Sequence, residues 1–82
     1  MTLTTEFTTI ATVEGGEVLA KLYGYVVTAR YPDSLTANQV KDLILDRTDI
    51  EIRDCIFETT IHPGEKNALF EYPDENRREE IQ

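Results

Sequence analysis

One stretch of the sequence, Asp33 to Glu58, limits the fold of this chain more than any other. Within it, Thr-Ala-Asn-Gln from Thr36 to Gln39 matches a capping box, in which the first and fourth residues satisfy each other's backbone amides. Apolar residues then recur with the period of a helix, which predicts a helix from Ala37 to Arg47. Strand-like segments flank this stretch, so one helix between two strand-rich segments organises the chain.

A hairpin is predicted before the helix. Threonine and β-branched residues favour a strand from Thr4 to Val13, and Gly15-Gly16 suits a two-residue turn. The return strand is expected to end at Tyr31-Pro32, because proline cannot donate to a sheet. The register that places mostly apolar residues on one face pairs Val13 with Val18, Ala11 with Ala20, Thr9 with Leu22 and Phe7 with Gly24.

A second hairpin is predicted after the helix. The apolar residues Ile50 and Ile52 alternate with Glu51, as in a strand. Cys55, Phe57 and Ile61 then fall on odd-numbered positions instead, and a bulge near Arg53-Asp54 would account for this shift. A turn is expected from His62 to Lys66, followed by a last strand. The expected pairs are Ile61 with Ala68, Thr59 with Phe70 and Phe57 with Tyr72.

These elements predict a small single-domain α+β fold of the order ββαββ. The expected sheet has four mostly antiparallel strands, with one helix packed on one face and a right-handed β–α–β crossover. Residues 1–73 of the 82 are expected to form this domain. Residues 74–82 contain a single apolar residue, which indicates an acidic, flexible C-terminal tail.

The net charge of −8 is the strongest feature of the composition. Residues 1–32 hold three acids and two bases (−1), residues 33–60 seven and three (−4), and residues 61–82 six and three (−3). Such a field repels nucleic acids and anionic membranes and favours encounters with another protein that has a basic surface. Solubility alone is the alternative explanation. A single cysteine and no export signal indicate a cytoplasmic protein.

The residue inventory favours no enzyme and no cofactor. His62 is the one histidine and lies in a turn, where a solvated side chain is expected rather than a general base. Cys55 lies beside apolar residues, which favours a buried inert thiol over a nucleophile. The carboxylates lack the glycine and bidentate glutamate of a calcium loop, and no paired Cys/His spacing indicates zinc, so no metal site is expected.

Carboxylates on the outer face of the helix form the first candidate binding site. Asp46 and Asp49 lie near the helix C-terminus, where the helix dipole disfavours negative charge, so they bring the fold no evident benefit. The hypothesis is that the chain is a small acidic inhibitor or regulator, whose carboxylates imitate nucleic-acid phosphates or steer it onto a cationic cleft of its partner. Phage antagonists of host enzymes and toxin-immunity proteins are analogous as a class. The partner-binding residues would be Asp42, Leu45, Asp46, Asp49, Glu51 and Asp54.

The uncovered face of the first hairpin is the alternative. Nothing obvious covers this face, which would carry Tyr23 and Tyr25 beside Ile10 and Leu19. Tyrosine suits interfaces because it joins a large contact area to a polar tip. The corresponding function is a structural or assembly subunit that forms a homo-oligomer or joins a larger complex through this face or a sheet edge. An ordinary half-exposed sheet face remains the simpler interpretation.

Overall fold

The structure, a computed structural model, describes residues 2–72. Its elements are β1 (Thr8–Val13), β2 (Gly16–Tyr23), β3 (Val26–Pro32), α1 (Ala37–Arg47), β4 (Cys55–His62) and β5 (Glu65–Glu71). The strands form one sheet in the order β1-β2-β3-β5-β4, with every neighbouring pair antiparallel. The α+β class with one helix and an antiparallel sheet is thus confirmed. The sheet has five strands where four were predicted, so ββαββ is not the observed order, and the predicted tail at 74–82 lies outside the described residues.

The additional strand results from a turn at Gly24-Tyr25 that the sequence prediction missed. Tyr23 pairs with Val26 across this turn, and Gly24 has a φ of 59°. A two-residue hairpin turn of type II′ requires positive φ at its first central residue, where glycine fits without strain. What was expected to be one long strand is therefore two strands, and β3 becomes the centre of the sheet.

Both predicted hairpin registers were wrong, because the first turn begins one residue earlier than predicted and the second is shorter than the predicted turn that contains it. The first turn is Glu14-Gly15, and Ile10 is an unpaired bulge residue. The second turn is Pro63-Gly64, an order typical of a type II turn. The observed pairs include Val13–Gly16, Ala11–Val18, Thr9–Leu19 and Thr8–Ala20 in the first hairpin, and His62–Glu65, Thr59–Asn67, Phe57–Leu69 and Cys55–Phe70 in the second.

The segment between α1 and β4 also differs from its prediction. Residues 50–52 form no strand, although Ile52 is buried in the core and Ile50 is half-buried. The bulges of β4 lie at Ile56 and Ile61 rather than at Arg53-Asp54. The alternation of isoleucines therefore reports which side chains face the core and not a hydrogen-bonded strand.

The helix has the predicted bounds and the predicted cap. The Gln39 amide donates to the Thr36 hydroxyl (3.2 Å), and the Thr36 amide donates to the Gln39 side-chain oxygen (2.8 Å). At the other end, the Thr48 hydroxyl donates to the Ile44 carbonyl (2.7 Å). Caps satisfy backbone groups that the helix cannot pair internally, and an N-cap hydroxyl such as that of Thr36 stabilises a helix by about 1 kcal/mol.

The core lies between α1 and the middle of the sheet. Val40 and Ile44 of α1 are fully buried in it. A row of three buried alanines, Ala20, Ala29 and Ala68, crosses the adjacent strands β2, β3 and β5. The buried residues around them are Ile10, Ala11, Val18, Val27, Tyr31, Ile52 and Phe70, together with Leu3 from the N-terminal segment. On β4 the residue opposite Ala68 is Glu58, so the apolar row ends in a charge at that edge.

Candidate functional site

The edge strand β4, at the end of the strand order, is the most exposed of the elements within residues 2–72. Seven of its eight residues are exposed, although the strand has the apolar content of a core strand. Ile56, Phe57 and Ile61 leave 57%, 53% and 43% of their surface in solvent. β4 ends the strand order, so one side of it has no neighbouring strand among residues 2–72. An edge strand presents backbone N–H and C=O groups that another strand can pair with.

The face on which Phe57 lies explains its exposure. Phe57 pairs with Leu69, whereas Ala68 of the buried, helix-facing row pairs with Glu58, so the Phe57 ring lies on the sheet face away from the helix. The helix itself reaches this edge, since α1 contacts β4 as well as β1. Cys55, at the start of β4, is half-buried, and every residue after it in the strand is exposed. Within β4, therefore, only the first residue, Cys55, packs against the core.

A buried tyrosine fixes the position of β4. The Tyr31 hydroxyl donates a hydrogen bond to the Glu58 carboxylate, and Lys66 Nζ lies 3.4 Å from the same carboxylate. The hydrogen bond from Tyr31 lowers the pKa of Glu58 below its ordinary value; partial burial opposes this and Lys66 adds to it. Burial, with the Glu58 contact, raises the pKa of Tyr31, so its hydroxyl keeps the donated proton at neutral pH. The edge strand is thus tied to the core through one side chain.

A second polar group fixes the turn end of the same hairpin. Glu65 accepts from Arg30 at 2.9 Å, and His62 Nε2 lies 2.7 Å from the same carboxylate. The hydrogen bond from Arg30 lowers the pKa of Glu65, while partial desolvation opposes the change. The middle and the turn end of β4 are therefore positioned, and the strand is a preformed surface.

Of the four residues predicted for the tyrosine interface, three lie outside the core and one, Ile10, does not. Tyr23 and Tyr25 are largely exposed and Leu19 is half-buried. Ile10 lies in the core, because the bulge in β1 turns it inward, and so does not lie beside the tyrosines. Lys21 takes its place on the sheet face opposite the helix, with Nζ 4.6 Å from the centroid of the Phe7 ring. A shallow groove of about 230 Å³ is lined by Phe7, Lys21, Tyr23, Thr28 and Leu69.

Two of the predicted acidic residues line a groove beside α1. Asp42 and Asp46 border an open groove of about 470 Å³ whose apolar lining includes Val13, Leu35 and Leu43. Leu45 lies on the outer surface of the same helix with 40% of its surface exposed. Carboxylates around an apolar lining suit a cationic side chain with an aliphatic stem.

The other predicted acidic residues do not join this groove. Asp54 pairs with Lys41 at 3.4 Å, and Asp49 accepts from the Thr2 hydroxyl at 3.3 Å. Asp46, at the groove itself, also pairs with Arg47 at 3.1 Å. Glu51 is exposed. The six predicted residues are therefore spread over the surface around α1, and the carboxylates of Asp46, Asp49 and Asp54 already interact with other residues of the chain.

Within residues 2–72, no three His, Cys, Asp or Glu side chains come together as metal ligands. The Cys55 thiol lies 3.4 Å from the Phe57 carbonyl and is half-buried. At eleven residues α1 is too short to cross a bilayer, and the described part of the chain has no other helix.

The exposed apolar residues of β4 were missed at the sequence level. The predicted register placed Phe57 and Ile61 on an apolar face shared with Tyr72 and Ala68, as if they were core residues. Ile56 and Phe57 are adjacent, however, and adjacent apolar residues cannot both face one core in a regular strand. That break in alternation was the available signal.

Known proteins add no family to this description. No family model matches the chain, and neither a curated protein nor a solved structure matches it. Any function assigned to the chain therefore rests on the surfaces described above.

Proposed function

We propose that this chain is a non-enzymatic protein-binding module that enters an assembly through the free edge of β4. The observation that carries the proposal is the exposure of Ile56, Phe57 and Ile61 on a positioned terminal strand. Fully burying one such side chain contributes about 1.5–3 kcal/mol. Each is already about half-buried, so covering all three contributes a few kcal/mol, and edge pairing adds backbone hydrogen bonds.

The acidic surface around α1 offers less binding free energy. Exposed ion pairs contribute about 0–1 kcal/mol each. To bind a partner protein, Asp46, Asp54 and Asp49 would first have to give up their contacts within the chain. These contacts are with Arg47, Lys41 and Thr2, respectively. Apolar burial at β4 therefore outweighs ionic contacts at the helix, which places the assembly function ahead of the inhibitor.

The test is capture with the tagged full chain from cells that naturally express it, quantified by mass spectrometry. Thr59→Lys places a charge in the middle of β4, where lysine discourages edge pairing. Thr12→Lys makes the same change at an exposed position of β1, the opposite edge. We expect partners retained by the unmodified chain and by Thr12→Lys to be lost from Thr59→Lys. Recovery of the same proteins with both variants contradicts the proposal.

The second candidate function is docking of the α1 surface on a basic partner, as an inhibitor or regulator. The groove bordered by Asp42 and Asp46 favours it, because carboxylates there flank an apolar lining. The double substitution Asp42→Asn with Asp46→Asn should weaken binding to a cationic partner and reduce its salt dependence. The matched control, Glu14→Gln with Glu17→Gln, removes two exposed charges from the first hairpin. Equal weakening by both pairs would mean that net charge alone matters.

A further inference from the structure

We propose that the partner of β4 is a second copy of this chain, paired antiparallel about a two-fold axis through Thr59. This inference rests on the proposed function and names the occupant of the edge. Pairing two copies edge to edge joins two five-stranded sheets into one of ten strands. The sequence of β4 and its register against β5 determine which pairing is allowed.

The faces of β4 restrict the register. Phe57 and Thr59 lie opposite Leu69 and Asn67 of β5, while Glu58 lies on the other face, opposite Ala68. Directly opposed residues in an antiparallel pair share a face, and a two-fold axis perpendicular to the sheet preserves the faces. A residue of the regular segment between the two bulges must therefore pair with itself at the axis. The central candidates are Glu58 and Thr59.

Charge decides between these two registers. An axis through Glu58 places the two Glu58 carboxylates directly opposite each other, which is destabilising. An axis through Thr59 pairs threonine with threonine and places Glu58 opposite Thr60 of the second copy, whose hydroxyl can donate to the carboxylate. Neither cross-strand contact in the Thr59 register joins like charges.

The same axis brings the exposed apolar residues of the two copies near each other. Phe57 lies two residues from Thr59 and so comes beside position 61 of the second copy, where the bulge residue Ile61 adds exposed apolar surface. Aromatic–β-branched pairs and threonine pairs are among the stabilising cross-strand contacts, at roughly 0.2–1 kcal/mol each. β1, the opposite edge, carries no exposed large apolar side chain within Thr8–Val13. The self-complementary pattern thus occurs at β4 and not at the other edge.

The charge of the chain gives the dimer a characteristic salt response. Two copies of net charge −8 repel each other, and added salt screens that repulsion. Dimerisation through apolar and backbone contacts should therefore strengthen as salt is raised. Docking of an acidic surface on a basic partner responds in the opposite direction.

Sedimentation equilibrium of the purified full chain tests the proposal. We expect a species of twice the 9.4 kDa chain mass, strengthened by salt, that becomes monomeric in Thr59→Lys and remains dimeric in Thr12→Lys. Circular dichroism melts of both variants at monomeric concentration verify that each still folds. A monomer at the highest soluble concentration, or a dimer that survives Thr59→Lys, overturns the inference.

Cysteine cross-linking tests the register. In a Cys55→Ala chain, Thr59→Cys brings two thiols to the axis, where opposed Cα atoms lie about 4.5–5.5 Å apart, within disulfide range. Added oxidised glutathione accepts the two electrons and two protons and is reduced to two glutathione thiols. Thr60→Cys in the same chain lies diagonally from its copy, beyond disulfide reach. Rapid cross-linking of Thr59→Cys alone supports the axis; equal or faster cross-linking of Thr60→Cys overturns it.

The two failures are distinguishable. A monomeric chain whose captured partners are nevertheless lost in Thr59→Lys overturns the homodimer and leaves β4 as a binding edge for another protein. Captured partners unaffected by Thr59→Lys overturn the proposed function. Tagged and untagged copies that co-purify, and that separate in Thr59→Lys, support both.

Discussion

The two strands of the last hairpin have similar apolar content and opposite environments. β5 contributes the fully buried Ala68 and Phe70, whereas β4 leaves seven of its eight residues exposed. Each carries one phenylalanine, Phe70 in the core and Phe57 in solvent. Position in the strand order explains the difference, because β5 lies between β3 and β4. Burial of a strand here depends on its neighbours more than on its own composition.

The path of the chain produces this asymmetry. α1 leads from β3, at the centre of the sheet, to β4 at its far edge, and the Pro63-Gly64 turn then returns β5 into the space between them. β3 and β4 are consequently parallel, with an antiparallel strand between. The strand that arrives last takes the covered position, and its predecessor is left at the edge.

The largest expected effect compares the two phenylalanines directly. Phe70→Ala empties a fully buried site and should lower the free energy of unfolding by about 3–5 kcal/mol. Phe57→Ala removes an exposed ring and should change it by roughly 0.5 kcal/mol or less. Chemical denaturation at a concentration that keeps the chain monomeric measures both. Similar losses would show that β4 is covered in solution.

Local signals explain why the helix could be predicted from the sequence and the sheet could not. The bounds of α1 follow from Thr36, Gln39 and a short periodic run, all within a few residues of one another. Strand order depends on contacts between distant segments, such as β3 with β5, which no local pattern encodes. The turn at Gly24 was nonetheless readable, since a strand from Gly16 to Tyr31 exceeds the usual 3–10 residues.

The candidate sites, too, could be predicted where local signals determine exposure and not where strand order determines it. Exposure of Leu45 on the outer helix surface could be predicted, because the helix period assigns its face. The error at Ile10 arose from a bulge, which reverses the faces without any mark in the sequence. The exposure of Phe57 arose from strand order, which became known only with the fold.

A smaller effect is expected at the turn that separates the two environments. Gly64 has a φ of 93°, which L-residues rarely adopt, and a Cβ there would meet nothing within 4 Å. Gly64→Ala should therefore cost about 1–2 kcal/mol through the backbone alone. Gly64→Asn should cost less, since asparagine tolerates positive φ better. Equal losses in thermal denaturation for the two variants would point to side-chain crowding instead.

An effect of similar size is expected at the hydrogen bond between Tyr31 and Glu58, which ties the exposed edge strand to the core. Tyr31→Phe removes the hydroxyl that donates to Glu58 and should lower the free energy of unfolding by about 1–2 kcal/mol at pH 7. The pKa of Glu58, measured by NMR titration, should rise toward its ordinary value of 4.5, because the tyrosine hydrogen bond is the main cause of its depression. Lys66, 3.4 Å from Glu58, should retain part of that depression.

The pH dependence of this variant shows whether the carboxylate bond matters. A carboxyl whose pKa is lowered by folding stabilises the fold above its unfolded pKa, here about 4.5, and this contribution is lost as the pH falls through the folded pKa. The stability difference between the unmodified chain and Tyr31→Phe should therefore be full at pH 7 and narrow below pH 4.5. If this stability difference instead stays constant through the acid range, the lost stability comes from packing around Tyr31. Packing, rather than the hydrogen bond to the Glu58 carboxylate, would then hold the edge strand.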